Sequence, residues 1–201
     1  MPDVLLYATD TMADWEYGYV AAGLAWAGDE SPYRLRVVGD GAGSVTTKGL
    51  MRIETDGELD AVDEDDVAML VLPGADSWGA GHEPALDLAG RLLERGVPVA
   101  AICGATFGLA RAGVLDDREH TSNAADYLLS TGYAGGDRYR EAPVVEHRDV
   151  ITAPATKPVD FAAAIFRRLG VFPPAVVDAW YGLCTTGERH YFDELTGAGA
   201  A

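Results

Sequence analysis

Lysine is almost missing from this chain. Of its 15 basic residues only Lys48 and Lys157 are lysines, against 32 acidic residues. The resulting net charge of −17 repels phosphate backbones and anionic lipid surfaces, which excludes nucleic acid and membrane as partners. No apolar run reaches the roughly 18 residues of a membrane span. The N-terminus, Met1-Pro2-Asp3-Val4-Leu5-Leu6, lacks the basic segment of a signal peptide and enters an apolar run at once, so a cytoplasmic protein is expected. Cysteine is scarce too. Cys103 and Cys184 stand far apart and make neither a disulfide framework nor a zinc motif, so both are expected as free thiols. The four histidines (82, 120, 147 and 190) do not cluster, and no metal or organic cofactor is expected. Gly39-Asp40-Gly41-Ala42-Gly43 follows a strand but opens no helix, so it reads as a turn and not a phosphate loop. The surplus of aspartate with so little lysine fits a salt-loving source, or equally a GC-rich genome in which arginine replaces lysine.

The chain has 201 residues, 48% of them hydrophobic, enough for one domain with a full core. That domain is expected over residues 1–196, with 197–201 as a frayed Gly/Ala tail. Apolar runs predict strands over 4–8, 33–38, 67–72 and 97–102, and a hairpin pair over 44–47 and 51–54. A short strand is expected over 119–122, and a second hairpin joins 144–147 to 150–153. Helical periodicity predicts helices over 15–27 (capped by Asp14), 83–95, 104–112, 124–130, 158–169 and 174–185. Apolar strands alternating with amphipathic helices imply a mostly parallel sheet covered on both faces.

The chemistry is concentrated where the apolar run Val97-Pro98-Val99-Ala100-Ala101-Ile102 ends in Cys103-Gly104-Ala105 and a helix begins. This is the layout of a nucleophile elbow, with cysteine in place of serine. It sets the thiol at the carboxyl end of the sheet and before a helix N-terminus, which is expected to lower its pKa. Glu16 starts the helix after the first strand and should open onto the same edge. Buried there, its carboxyl would hold a proton and serve as general acid or base, whereas an exposed first-turn acid would do neither. The turn Leu72-Pro73-Gly74-Ala75-Asp76-Ser77-Trp78 offers backbone N–H groups, so Gly74 and Gly104 are candidate oxyanion donors beside Ala75. Trp15 and Trp78 are candidate pocket walls. His82 is a weaker pocket candidate, and His147 and His190 read as surface residues. Cys184, in an apolar helical stretch, reads as structural.

Taken together, the first strand with Glu16, the Leu72-Pro73-Gly74 turn, the Ala101-Ile102-Cys103-Gly104-Ala105 elbow and Arg118-Glu119-His120-Thr121-Ser122-Asn123 resemble the ThiJ/PfpI superfamily, across residues 3–195. The resemblance implies a flavodoxin-like three-layer α/β/α sandwich, a homodimer, no cofactor, and a protonated Glu16 against Cys103. Two departures matter. The protease-like branch carries histidine directly after the cysteine, where this chain has Gly104, so peptidase activity is not expected. Another branch carries it on the next strand, and gap-free alignment puts Asn123 there, with His120 turned to the opposite face. Asn123 can hold a substrate carbonyl or orient water but cannot shuttle a proton. The expected function is therefore a cysteine-dependent enzyme on a small carbonyl or amide compound, hydrolase- or glyoxalase-like. The alternatives are a stress-response protein whose Cys103 is oxidised to a sulfinate, or a non-catalytic scaffold.

Overall fold

The computed structural model describes residues 1–28, 31–41 and 43–197. Of the expected tail 197–201, Gly197 ends the last helix in a left-handed cap, and residues 198–201 lie outside the described residues. Strands are numbered in chain order: β1 (Asp3–Tyr7), β2 (Arg34–Gly39), β3 (Ser44–Thr46), β4 (Arg52–Glu54), β5 (Gly57–Glu58), β6 (Val67–Leu72), β7 (Val99–Ile102), β8 (Val145–His147) and β9 (Val150–Ala153). Seven of them form one sheet in the order β5-β2-β1-β6-β7-β9-β8, parallel except for the antiparallel β8–β9 pair, and β3–β4 stand apart as an antiparallel ribbon. The helices are α1 (Asp14–Trp26), α2 (Glu83–Glu94), α3 (Gly104–Arg111), α4 (Ala125–Leu129), α5 (Pro158–Leu169), α6 (Pro174–Thr186) and α7 (Arg189–Thr196).

The central strands β6 and β7 are apolar at every position, and β1 at every position after Asp3, because both their faces are covered. Val4, Leu6, Met69, Val71, Ala100 and Ile102 point to one face and pack with α1 and α5 through Val20, Leu24, Phe161 and Ile165. Their strand neighbours Leu5, Leu70, Leu72, Val99 and Ala101 point to the other, against Leu88 and Leu92 of α2 and Leu109 of α3. The result is the three-layer α/β/α sandwich with a mostly parallel sheet that the sequence implies. Among the described residues no helix is long and apolar enough to cross a membrane.

Arg148 and Asp149 both adopt positive φ (47° and 64°), which closes the β8–β9 hairpin in the turn geometry that matches strand twist. The expected strand over 119–122 is instead one isolated bridge, His120 to Tyr139. That segment is fastened through side chains: Thr121 N–H donates to Thr152 Oγ1 (2.9 Å) and Tyr139 O–H to the Ser122 carbonyl (3.2 Å). α7 is an addition to the expected helices, seated on α6 where Gly182 leaves room for the Tyr191 ring.

The packing of α3 fixes the elbow. Trp78 is buried to 1% exposure, donates from its indole to the Pro73 carbonyl (2.9 Å), and lies under the small residues of α3. A Cβ on Gly108 would fall 2.3 Å from the Trp78 ring, and one on Gly104 3.0 Å from it and 2.9 Å from the Ala75 carbonyl. Gly108→Ala is expected to cost about 1–3 kcal/mol by overpacking, since the ring is enclosed and cannot yield. A thermal unfolding midpoint equal to wild type would contradict this packing account.

Candidate functional site

Three loops meet at the carboxyl edge of the sheet, after the adjacent strands β1, β6 and β7. Glu16 stands in the first turn of α1 after β1, Gly74 in the turn after β6 and Cys103 at the elbow after β7. Between β1 and β6 the winding of the sheet reverses, and such a switch point leaves a crevice beyond the strand ends. Cys103 takes φ 59° and ψ −123°, a conformation that costs a non-glycine residue backbone strain and projects the side chain out of the strand–helix turn.

Glu16 is fully buried. Its Oε2 accepts the Gly74 N–H at 2.6 Å. Its Oε1 is buried without a hydrogen-bond partner among the described residues. A carboxylate oxygen left without a donor in this environment is costly, so the proton belongs on this carboxyl group. Burial accordingly raises Glu16 to about 7, opposed by hydrogen bonds from Cys103 and Gly74 and by the charge of Lys48. The expected protonated carboxyl is therefore favoured below neutrality.

The thiol differs from expectation. The helix N-terminus was expected to lower its pKa, yet Cys103 is pushed up to about 11. Burial is the first cause, and the adjoining Glu16 carboxyl adds to it. The Asn123 side chain and the Gly104 N–H act the other way and lose. Between about 7 and about 11 the Cys103–Glu16 pair thus holds one proton between two groups.

Asn123 Nδ2 donates to Cys103 Sγ at 3.4 Å, and Asn123 Oδ1 accepts the Ala155 N–H at 2.8 Å. The second bond settles the amide orientation, since an N–H donor must face Oδ1 and so the NH2 group faces sulfur. His120 lies elsewhere. It is fully buried, with Nδ1 on the Arg118 carbonyl (2.8 Å) and Nε2 on the Tyr133 hydroxyl (2.8 Å). A carbonyl only accepts, so Nδ1 carries the proton and Nε2 accepts from Tyr133. Burial lowers the His120 pKa and keeps the ring neutral. Asn123→Asp would put a second carboxylate against sulfur. Alkylation of Cys103 at pH 8 is then expected to slow about tenfold, the effect of one pKa unit; an unchanged rate would detach residue 123 from the thiol.

The cavity at the thiol has a volume of about 60 Å³ and is lined by Thr11, Ala13, Trp15, Glu16, Lys48, Gly74, Ala75, Asp76 and Cys103. Trp15 and Ala75 are among these lining residues. Trp78 does not, because it is core beneath α3. Gly74 cannot act as an oxyanion donor either, since its N–H is committed to Glu16. Ala75 lines the cavity, and the Gly104 N–H lies against sulfur. Asp14 neither caps α1, whose N-cap is Ala13, nor lines the cavity. Its carboxylate accepts the Gly49 N–H at 2.6 Å and fastens the β3–β4 loop.

His82 belongs to a separate cavity of about 350 Å³, bonded to Tyr7 O–H and Ser77 Oγ (2.9 Å each). His147 is half-buried and accepts the Glu119 N–H at 2.8 Å, so it is not a plain surface residue. Cys184 is exposed on α6. Among the described residues no three His, Cys, Asp or Glu side chains are grouped to hold a metal ion. Lys48 was not foreseen. It sits in the β3–β4 loop, far along the chain from the elbow, and its only sequence signal is that it is one of two lysines.

The DJ-1/PfpI family model matches residues 2–168 of the chain. A Bacillus subtilis (strain 168) protein named uncharacterized protease YoaZ is 38% identical over 199 residues, spanning 96% of this chain and 95% of its own length. The crystal structure of a thiJ/pfpI family protein from Bacillus anthracis superposes with a TM-score of 0.91 at 36% identity, covering 97% of this chain and 95% of that one. A Thermococcus kodakarensis protein named deglycase TK1284 is 33% identical over 121 residues, 59% of this chain and 70% of its own.

Proposed function

This chain belongs to the DJ-1/PfpI family, and on that premise we propose that it is a cysteine-dependent, hydrolase-type enzyme acting on a small electrophilic carbonyl or amide-like compound. One observation carries the reading: a fully buried carboxyl group, satisfied on one oxygen by Gly74 and unpartnered on the other, lies against a thiol on a strained elbow. The relatives named protease and deglycase support a hydrolase-type reaction. The small cavity favours a compact substrate, because it is well below the roughly 300 Å³ at which drug-sized ligand sites begin.

In this reading the ionised form of Glu16, populated from about 7 upward, takes the Cys103 proton, and the thiolate adds to the electrophilic carbon. The carbonyl electron pair moves onto oxygen, which the Ala75 and Gly104 N–H groups receive. Glu16 then returns its proton, either to that oxygen, giving a neutral tetrahedral adduct, or to the leaving group of an amide-like substrate. In the second case a thioester remains and water hydrolyses it. Asn123 holds the sulfur in place throughout. No histidine takes part, and Glu16 carries the proton traffic alone.

Turnover of methylglyoxal and of a panel of small amides tests this. Loss of the nucleophile in Cys103→Ser is expected to reduce turnover at least about a hundredfold, and Glu16→Gln about ten- to a hundredfold. A panel with no Cys103-dependent turnover sinks the reading.

A further inference from the structure

We infer that the Lys48–Asp76 ion pair is an electrostatic latch over Cys103, and that the site takes electrophiles bearing a carboxylate, which replaces Asp76 on the lysine ammonium. The inference rests on the reading of Cys103 as a reactive thiol. Of the residues that line the thiol cavity, Lys48 is the one cation, and Asp76 is paired to it at Nζ–Oδ1 2.6 Å.

The two side chains are held from behind and free in front. Lys48 N–H donates to the Met12 carbonyl (2.9 Å), and the next residue, Gly49, donates to Asp14 (2.6 Å). Asp76 N–H donates to Thr11 Oγ1 (3.0 Å), and Thr11 itself takes positive φ (63°) to present that oxygen. Both backbones are therefore tied to the β1–α1 loop, while the charged ends stay open to solvent, with Lys48 42% and Asp76 66% exposed. An ion pair so exposed is screened by water and weakly held, so an entering carboxylate can displace Asp76 at little cost. In a chain of net charge −17 an anionic substrate has no general attraction to the surface. A single ammonium at the mouth of the site is what makes its approach favourable.

Two alkylating probes of nearly equal size and different charge read this directly. Iodoacetamide is neutral and iodoacetate is anionic. In both cases sulfur bonds to the CH2 carbon, iodide departs with the C–I electron pair, and the thiol proton goes to Glu16 or water. The measured quantity is the iodoacetate-to-iodoacetamide rate ratio at Cys103, divided by the same ratio for N-acetylcysteine. One charge interaction near 4 Å in a water-like medium corresponds to about a fivefold change. Lys48→Gln is expected to lower the ratio about fivefold, and Asp76→Asn, which frees the ammonium, to raise it by a similar factor. A pair that served only to brace the loops would shift the ratio the same way in both variants, or not at all. Either result, or a reversal of the two signs, overturns the inference.

If Cys103 alkylates with neither probe, the enzymatic reading fails, and the latch is judged on Cys103→Ser instead. Glycolate titrated into that variant is expected to move the Lys48 amide resonance, more tightly when Asp76→Asn is added and not when Lys48→Gln is added. Absence of that movement overturns the latch on its own.

Discussion

Glu16→Gln is expected to make the protein more stable above pH 7 and to leave it unchanged near pH 4. The folded state raises this carboxyl from the ordinary 4.5 to about 7 through burial. A group with a raised folded pKa binds its proton more tightly folded than unfolded. Its favourable contribution is therefore complete below about 4.5, falls as pH rises from there to about 7, and is gone above it. A shift of this size corresponds to about 3 kcal/mol at 1.36 kcal/mol per pKa unit. Glutamine keeps the shape and can still accept the Gly74 N–H, but it has no charge to bury. The stability difference between Glu16→Gln and wild type, from urea unfolding at a series of pH values, should grow by up to about 3 kcal/mol between pH 4.5 and 7.5. Subtracting the two proteins removes the opposing trend of carboxylates such as Glu119, which Arg140 holds below the ordinary range. The linkage counts protons and not their location, so the result stands whichever of Glu16 and Cys103 holds the shared one. The rate of iodoacetamide labelling carries the matching signature: a step near 7 in wild type, absent in Glu16→Gln. A flat stability difference would mean that Glu16 is not buried as a neutral acid.

The layered sheet was legible because its signals are local. The run over 67–72 and the periodicity over 158–169 coincide with β6 and α5, since a strand buried on both faces must be apolar throughout and a covered helix must be apolar on one side. α7 escaped because its eight residues bury no whole side chain, and it is seated by packing on α6 such as Tyr191 against Gly182. The segment 119–122 has strand-like residues, but only His120 pairs by backbone, with Arg138 and Arg140, while Thr121 and Ser122 bond to side chains, which composition does not reveal. At the site, residue identities were legible and hydrogen-bond allocation was not. Gap-free counting from the elbow to Asn123 placed an amide at sulfur, and the structure brings it to 3.4 Å. That Gly74 would spend its N–H on Glu16 depends on how closely two loops approach, and so does the sign of the thiol pKa shift. The Gly104 N–H at the start of α3 does favour the thiolate, but burial and the neighbouring Glu16 carboxyl outweigh it. Lys48 could not be placed at all, because nothing local tells which way the β3–β4 ribbon folds over the sheet edge.

Gly74→Ala is the substitution expected to damage the site most for the fewest atoms added. A Cβ at this position would lie 2.6 Å from Glu16 Oε2, 2.7 Å from Cys103 Cβ and 2.9 Å from Cys103 Sγ. The backbone of Gly74 lies outside the left-handed region, so alanine meets no conformational penalty and the effect is steric. None of the three neighbours is free to retreat. Glu16 is fixed on the buried face of α1, and Cys103 is pinned at the elbow by α3 on Trp78. The Gly74 carbonyl also accepts the Ala13 N–H at 2.9 Å, so moving the turn breaks a second tie to the β1–α1 loop. Overpacking of this kind costs about 1–3 kcal/mol or somewhat more. Whatever part of the strain is relieved by separating Glu16 from Cys103 is taken from the proton transfer between them, and a misplacement near 1 Å lowers rates by about a hundredfold. Gly74→Ala is thus expected to lose at least about tenfold in Cys103 alkylation even where it still folds. Gly79→Ala serves as the control, because a Cβ at Gly79 meets no atom within 4 Å and its φ is not positive. If the two variants unfold at the same urea concentration and alkylate at the same rate, then Glu16, Gly74 and Cys103 are not held in contact, and the proton-sharing pair on which the proposed chemistry depends does not exist.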